Sequence, residues 1–156
     1  MLETKKPSGD RTTSRRDIIG EATRFYMQLY TSTTPLCMTS KDIHEPASTV
    51  PPILQSEVRS AIGELKKGKT PGEDKIWNEY MKYGSALLIS PITMLFNKIL
   101  EEETILDQWE TSTIIPFHKK GSKDDLSNYR PISLMSNLYK LFSKVITKRL
   151  AYTLVE

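Results

Sequence analysis

Apolar residues recur along this chain with two different periods. From Ser14 onward, Ile18, Ala22, Phe25, Tyr26 and Leu29 fall three or four apart and mark one face of a helix. The S-R-R-D run at its start matches a capping box with Asp17 as acceptor. A second helix is predicted over 55–67 from Val58, Ala61, Ile62 and Leu65; its start is poorly capped, Gly68 is the expected C-cap and Pro71 bars resumption. A short helix over 77–83 and a longer one over 85–102 follow. The longer one has a broad apolar face of Leu88, Ile92, Leu95, Phe96, Ile99 and Leu100, and Pro91 either kinks it or falls in its first turn. Trp109 reads as core. Ser136 is placed to cap a last helix through about Leu154, striped by Leu138, Leu141, Phe142, Val145, Ile146 and Leu150.

Between these helices the period shortens. T-S-T-I-I-P-F-H-K (111–119) is rich in β-branched residues and reads as a strand, K-K-G-S-K-D-D-L-S is turn chemistry, and N-Y-R-P-I-S-L (128–134) is a second extended piece. Pro116 and Pro131 lack a ladder donor, which confines these strands to edges or a two-stranded ribbon. Residues 1–13 have no period and read as a disordered lead-in; 31–53, with four prolines and many hydroxyls, read as a connector. The order is helices, one small hairpin, helix, so the fold class is α+β and mostly helical. No βαβ alternation or internal repeat is visible.

Composition narrows the partners. The net charge of the 156 residues is +3, but its distribution is uneven: 71–113 hold 3 basic and 8 acidic side chains, and 114–156 hold 8 basic and 3 acidic. A basic C-terminal block suits a polyanion. Cys37 has no second cysteine to pair with, and His44 and His118 do not complete a zinc set, so no metal site is expected. The N-terminus has no signal-peptide core, and the longest apolar-rich run, 86–96, is too short for a bilayer. These features predict an intracellular protein, cytoplasmic or nuclear, in a reducing compartment.

The candidate chemistry lies in the turn. Lys119, Lys120 and Lys123 sit at the end of the predicted ribbon, and Arg130 stands on the returning strand before Pro131, which restrains its backbone to extended geometry. A planar guanidinium with mobile ammonium groups beside it can clamp a phosphate or triphosphate. By spacing alone the favoured reading of the same tip is a solvated turn in which Arg130 pairs with Asp124 or Asp125. Lys66, Lys67 and Lys69 form a second basic cluster, which by itself reads as a solvated helix end with favourable charge against the dipole.

The string I-I-P-F-H-K-K-G-S-K-D-D-L-S-N-Y-R-P-I-S-L, followed by L-Y-K-L-F-S-K-V-I-T-K-R-L, resembles the reverse transcriptases of non-LTR (LINE-type) retrotransposons, particularly RTE-like endonuclease-reverse transcriptases. E-V-R-S-A-I-G-E-L-K-K-G-K-T-P-G-E-D-K-I resembles the first conserved block of that family, and L-F-N-K-I-L-E-E-E-T-I-L-D-Q-W-E-T-S-T-I-I-P the stretch before the fingers. The resemblance covers about 54–154. It implies that 54–156 are the N-terminal, fingers part of a right-hand polymerase with the palm missing, behind a helix and proline-rich connector over 14–53. It further implies that Arg130 with Lys119 or Lys120 contacts the triphosphate of the incoming nucleotide, that Lys66, Lys67, Lys69 and Lys123 meet template or primer backbone, and that Asn128 and Tyr129 hold the hairpin. Where the family often has Gly, this chain has Lys75, and where it often has a small residue or proline, Trp77 and Leu106.

Reverse transcription needs two metal ions held by carboxylates, and the family's aspartate-bearing strand and Y-x-D-D turn are found nowhere in this sequence. Asp124 and Asp125, in a polar turn beside lysines, do not replace them. The expectations are no catalytic residue, no cofactor in this chain (Mg2+ only in the complete polymerase), and partners that are RNA template, DNA primer and dNTP, with no membrane. The expected function is a fragment of an RNA-directed DNA polymerase without activity of its own. The alternatives are a non-enzymatic nucleic-acid-binding module, or a helical interaction fragment that self-associates through apolar faces at 87–100 and 138–150 left uncovered by the palm.

Overall fold

A computed structural model describes residues 4–5, 11–31 and 50–153. In chain order these form β1 (Thr4–Lys5), β2 (Arg11–Thr12), α1 (Arg15–Tyr30), α2 (Gln55–Gly63), α3 (Asn78–Tyr83), α4 (Ser85–Glu102), α5 (Asp107–Glu110), β3 (Thr113–His118), β4 (Tyr129–Leu134) and α6 (Asn137–Thr153). The mostly helical α+β class is as expected. Most of the predicted connector, with Cys37 and His44, lies outside the described residues, as does Leu154. Among the described residues no helix is long and apolar enough to cross a membrane. The chain divides into two compact units: 46–114 with 133–156, and 1–45 with 115–132.

The first unit is built on the predicted stripes. α2 packs against both α4 and α6, and α3 packs against α2 and α4. Val58, Ala61 and Ile62 of α2 close on Ile92, Phe96 and Ile99 of α4 and on Leu141 and Val145 of α6, all buried in one cluster. Each such aliphatic or aromatic side chain contributes about 1.5–3 kcal/mol when removed from water. Trp109 is buried as expected, held by the single-turn α5 against the edge of Phe96 (6.5 Å between centroids) and against Phe142 at 5.6 Å. The stripes expected to be left uncovered are therefore largely covered by one another. Leu87, Met94 and Leu150 are the large apolar residues of those segments that stay exposed.

Three polar devices fix this unit. Asn97 spans the backbone of Ile53, accepting its N–H at 2.6 Å and donating to its carbonyl at 3.0 Å. Arg149 of α6 forms a two-pronged pair with Glu57 (2.8 and 2.7 Å) and also donates to the carbonyls of Pro51 and Pro52. Glu57 in turn accepts the Leu54 N–H at 2.7 Å, so the start of α2 is capped by its third residue although Leu54 offers no side-chain acceptor. At the head of α6, Ser136 Oγ accepts the Tyr139 N–H at 3.1 Å, the predicted cap, and donates to Asp74 Oδ2 at 2.5 Å. Buried Asn137 donates to the Ile76 carbonyl at 2.9 Å. Gly72 lies so close to this corner that a Cβ there would come within 2.5 Å of Ser136 N and 2.6 Å of Met135 C.

The end of α2 departs from expectation. The helix stops at Gly63, five residues before Gly68. The reason is competition from α3: Lys82 Nζ donates to the carbonyls of Gly63 (2.8 Å) and Leu65 (2.7 Å), and Asn78 Nδ2 donates to that of Lys66 (2.8 Å). These carbonyls find side-chain donors without a further helical turn. Gly68, with φ of 68°, serves the following loop and gives its N–H to Glu79 Oε1 at 2.6 Å.

In the second unit, β1 and β2 pair antiparallel where no regular structure was expected, with Thr4 opposite Thr12. The helix start at Ser14 is as predicted, but its capping box is not made. Thr12 Oγ1 instead accepts the Ser14 N–H at 3.3 Å and donates to Asp17 Oδ2 at 3.1 Å, so the hydroxyl two residues upstream does the capping. On α1 only Tyr26 is buried; Ile18, Ala22 and Phe25 are half-buried and Leu29 is exposed.

Candidate nucleic-acid interface

β3 and β4 form a two-stranded sheet. The Lys119 N–H donates to the Asn128 carbonyl at 2.9 Å, and the rings of His118 and Tyr129 meet edge-to-face at 5.1 Å. Carried inward along an antiparallel ladder, this register sets Pro116 opposite Pro131 at a non-hydrogen-bonded pair, where a missing N–H costs the ladder nothing. The same register puts Arg130 opposite Phe117 and on one face with Lys119.

The turn between the strands is fixed by its own polar groups. Asn128 Nδ2 donates to the Ser122 carbonyl at 2.9 Å, and Tyr129 OH donates to that of Lys123 at 2.7 Å. Asp125 caps a short 3-10 turn over Leu126–Asn128 by accepting the Ser127 N–H at 2.9 Å. Gly121 has φ of 87°, and a Cβ on it would come within 2.8–2.9 Å of the Asn128 amide. Asn128 and Tyr129 thus brace the hairpin backbone.

The acidic residues of the turn have partners other than its cations. Asp124 pairs with Arg11 at 3.3 Å and accepts from Ser122 Oγ, and Asp125 is engaged as the cap. The anticipated local bridge from Arg130 to either aspartate is absent. Lys119, Lys120, Lys123 and Arg130 are all exposed, and none of them makes an ion pair with a described residue.

The second basic cluster belongs to the helical unit. Lys66, Lys67 and Lys69 are exposed on the loop that α3 holds by its carbonyls. They differ in freedom. Lys67 Nζ donates to Tyr83 OH at 2.7 Å and lies 4.9 Å from the centre of that ring; the hydrogen bond to the phenol raises its pKa. Lys66 and Lys69 have no ion-pair partner among the described residues.

Several relevant groups were not anticipated from sequence. Arg11 had no signal, since its partner Asp124 is 113 positions away. The exposed rings of Trp77, Tyr80 and Tyr83 had one: aromatic residues at every third position, from the N-cap of a short helix to its last residue. Asp74, Ser136 and Asn137 join two of the blocks that carry the family resemblance, so their order in the sequence was visible but their bonding was not.

No family model matches the chain. Among curated proteins it is 34% identical over 102 residues, 65% of its length, to a probable RNA-directed DNA polymerase from transposon BS of Drosophila melanogaster. It is 32% identical over 99 residues, 63% of its length, to the RNA-directed DNA polymerase from mobile element jockey of the same species. Over 113 residues, 70% of its length, it is 27% identical to the retrovirus-related Pol polyprotein from type-1 retrotransposable element R1 of Bradysia coprophila. Several of its curated homologues are RNA-directed DNA polymerases of non-LTR retrotransposons. The chain spans about 11% of the length of each of these retrotransposon polymerases. The expected resemblance to non-LTR reverse transcriptases is thereby shown.

Proposed function

We propose that the chain is the fingers portion of a non-LTR, RTE-like reverse transcriptase and supplies contacts to the incoming nucleotide and to template or primer, without the metal-held chemistry of the palm. The observation that supports this reading is the braced hairpin tip, which keeps Lys119, Lys120, Lys123 and Arg130 exposed and without an ion pair among the described residues, while Asp124 is held by Arg11 and Asp125 caps the 3-10 turn. Exposed cations gathered on one hairpin attract a polyanionic ligand. Arg130 and Lys119, on one face, suit the triphosphate, with Lys120 beside them. Lys66, Lys67, Lys69 and Lys123 suit the phosphate backbone of template or primer, a contact whose strength falls with salt.

The test is substitution of Arg130 by alanine in a full-length polymerase that contains this segment. The apparent KM for dNTP should rise roughly tenfold or more for the loss of a charge-assisted contact, with thermal stability unchanged. An unaltered KM removes Arg130 from the site. A second reading, association through a helix face, is favoured by Leu87 and Met94, exposed seven positions apart on α4. Light scattering of the purified chain separates it: a monomer at working concentration excludes self-association.

A further inference from the structure

Exposed aromatic rings are concentrated on α3. Trp77, Tyr80 and Tyr83 are 40%, 63% and 74% exposed, whereas Trp109 is 3% exposed. The helix buries Asn78 and Met81 instead. Residues three apart are neighbours on a helix surface, so the rings of Tyr80 and Tyr83 lie side by side on its outer side, with Trp77 at the N-cap position just before them.

The basic loop adjoins these rings. Lys67 bonds the hydroxyl of Tyr83 and lies over its ring, and Lys66 and Lys69 flank Lys67 in the same loop. The one carboxylate on α3 lies against the same loop. Glu79 Oε1 accepts the Gly68 N–H and its carboxylate offsets part of the charge of Lys67, which leaves Lys66 and Lys69 as the cations with no ion-pair partner among the described residues. Asn78, Lys82 and Glu79 each tether the loop backbone to α3, which holds lysines and rings in a fixed relation.

Resting on the reading of this loop as a nucleic-acid contact, we propose that α3 and the loop before it form a binding strip for single-stranded nucleic acid, with bases stacking on Trp77, Tyr80 and Tyr83 and phosphates meeting Lys66, Lys67 and Lys69. Only unstacked bases present a free π-face, so the strip favours a single strand over a duplex of equal charge.

The experiment uses the 156-residue chain, a fluorescently labelled oligouridylate and a duplex RNA of matched phosphate number, with binding followed by anisotropy across a salt series. The single strand should bind more tightly and quench the exposed indole of Trp77. Replacing Tyr80 and Tyr83 by alanine should weaken single-strand binding roughly five- to a hundredfold per ring without changing the salt slope. Tyr80→Phe with Tyr83→Phe, which keep the π-faces, should restore it, and thermal melts of each variant separate misfolding from lost contact. Removing Lys66 or Lys69 should reduce the salt slope by about 0.7 each. Equal affinity for both forms, indifferent to the rings but dependent on the lysines, overturns the stacking proposal and leaves the backbone reading intact. No binding of either RNA at low salt overturns both.

Discussion

The helical unit and the hairpin unit keep their shapes by different means. The first closes a continuous apolar cluster from Ile53 to Val145 and adds polar ties around it. In the second, among described residues, the buried side chains are Tyr26, Thr4 and Thr12, and the turn from Lys119 to Asn128 is set by hydrogen bonds between its own residues. A scaffold made by burial is costly to perturb anywhere. A turn made by local polar contacts can present cations to water and yet fail when one brace is lost.

The largest expected effect tests the burial side. Phe96→Ala removes a fully buried ring that touches Trp109 and Phe142, and should destabilise the helical unit by about 3–5 kcal/mol. Denaturant unfolding followed by far-UV circular dichroism measures it. A loss under 1 kcal/mol would deny that this cluster is the main source of stability.

Next comes Gly72→Ala, whose added methyl meets backbone of Met135 and Ser136. Displacing backbone atoms should cost about 1–3 kcal/mol by the same measurement. Asn128→Ala sharpens the other side: it removes the bond to Ser122 O and should cost about 1 kcal/mol, confined to the turn. Amide exchange should accelerate at 119–128 and stay unchanged in α2, α4 and α6.

Acid should also separate the two units. Glu57 and Glu64 titrate below the ordinary 4.5, Glu57 because Arg149 donates to it, and Glu64, at about 2, because Lys144 and Lys148 do. Folded values below the unfolded ones mean stability that is complete above about pH 4.5 and lost as pH falls through the folded pKa values towards 2. The helical unit should therefore lose stability progressively over that interval, and Arg149→Met should flatten the part of the slope due to Glu57. The smallest effect concerns Lys75, whose φ of 55° is disfavoured for any residue with a side chain; Lys75→Gly should relieve about 1 kcal/mol.

Much of this contrast was legible in the sequence, for physical reasons. Helix stripes in α2, α4 and α6 were readable because burial selects apolar side chains at the helical period. The hairpin was readable because β-branched strands and turn residues have local preferences. The resemblance even placed a glycine where Lys75 now holds a left-handed backbone. The early end of α2 was not readable, since it is decided by Lys82 and Asn78, donors from 12 to 19 positions away. Nor was the ribbon of β1 and β2, which consists of two-residue strands too short for any period. In the candidate site the cations were legible but not their state: that Arg130 has no ion pair among the described residues, that Arg11 occupies Asp124, and that Lys67 is tied to Tyr83 depend on contacts across the fold.

The most direct test of the central claim is an NMR titration of the isotope-labelled chain with dNTP, following each backbone amide and the Arg130 Nε–H. Shift changes that saturate together at 119–123 and at 130, and that are lost in Arg130→Ala, are the predicted result. Changes scattered over the surface, or confined to the helical unit while the hairpin stays silent, would contradict it.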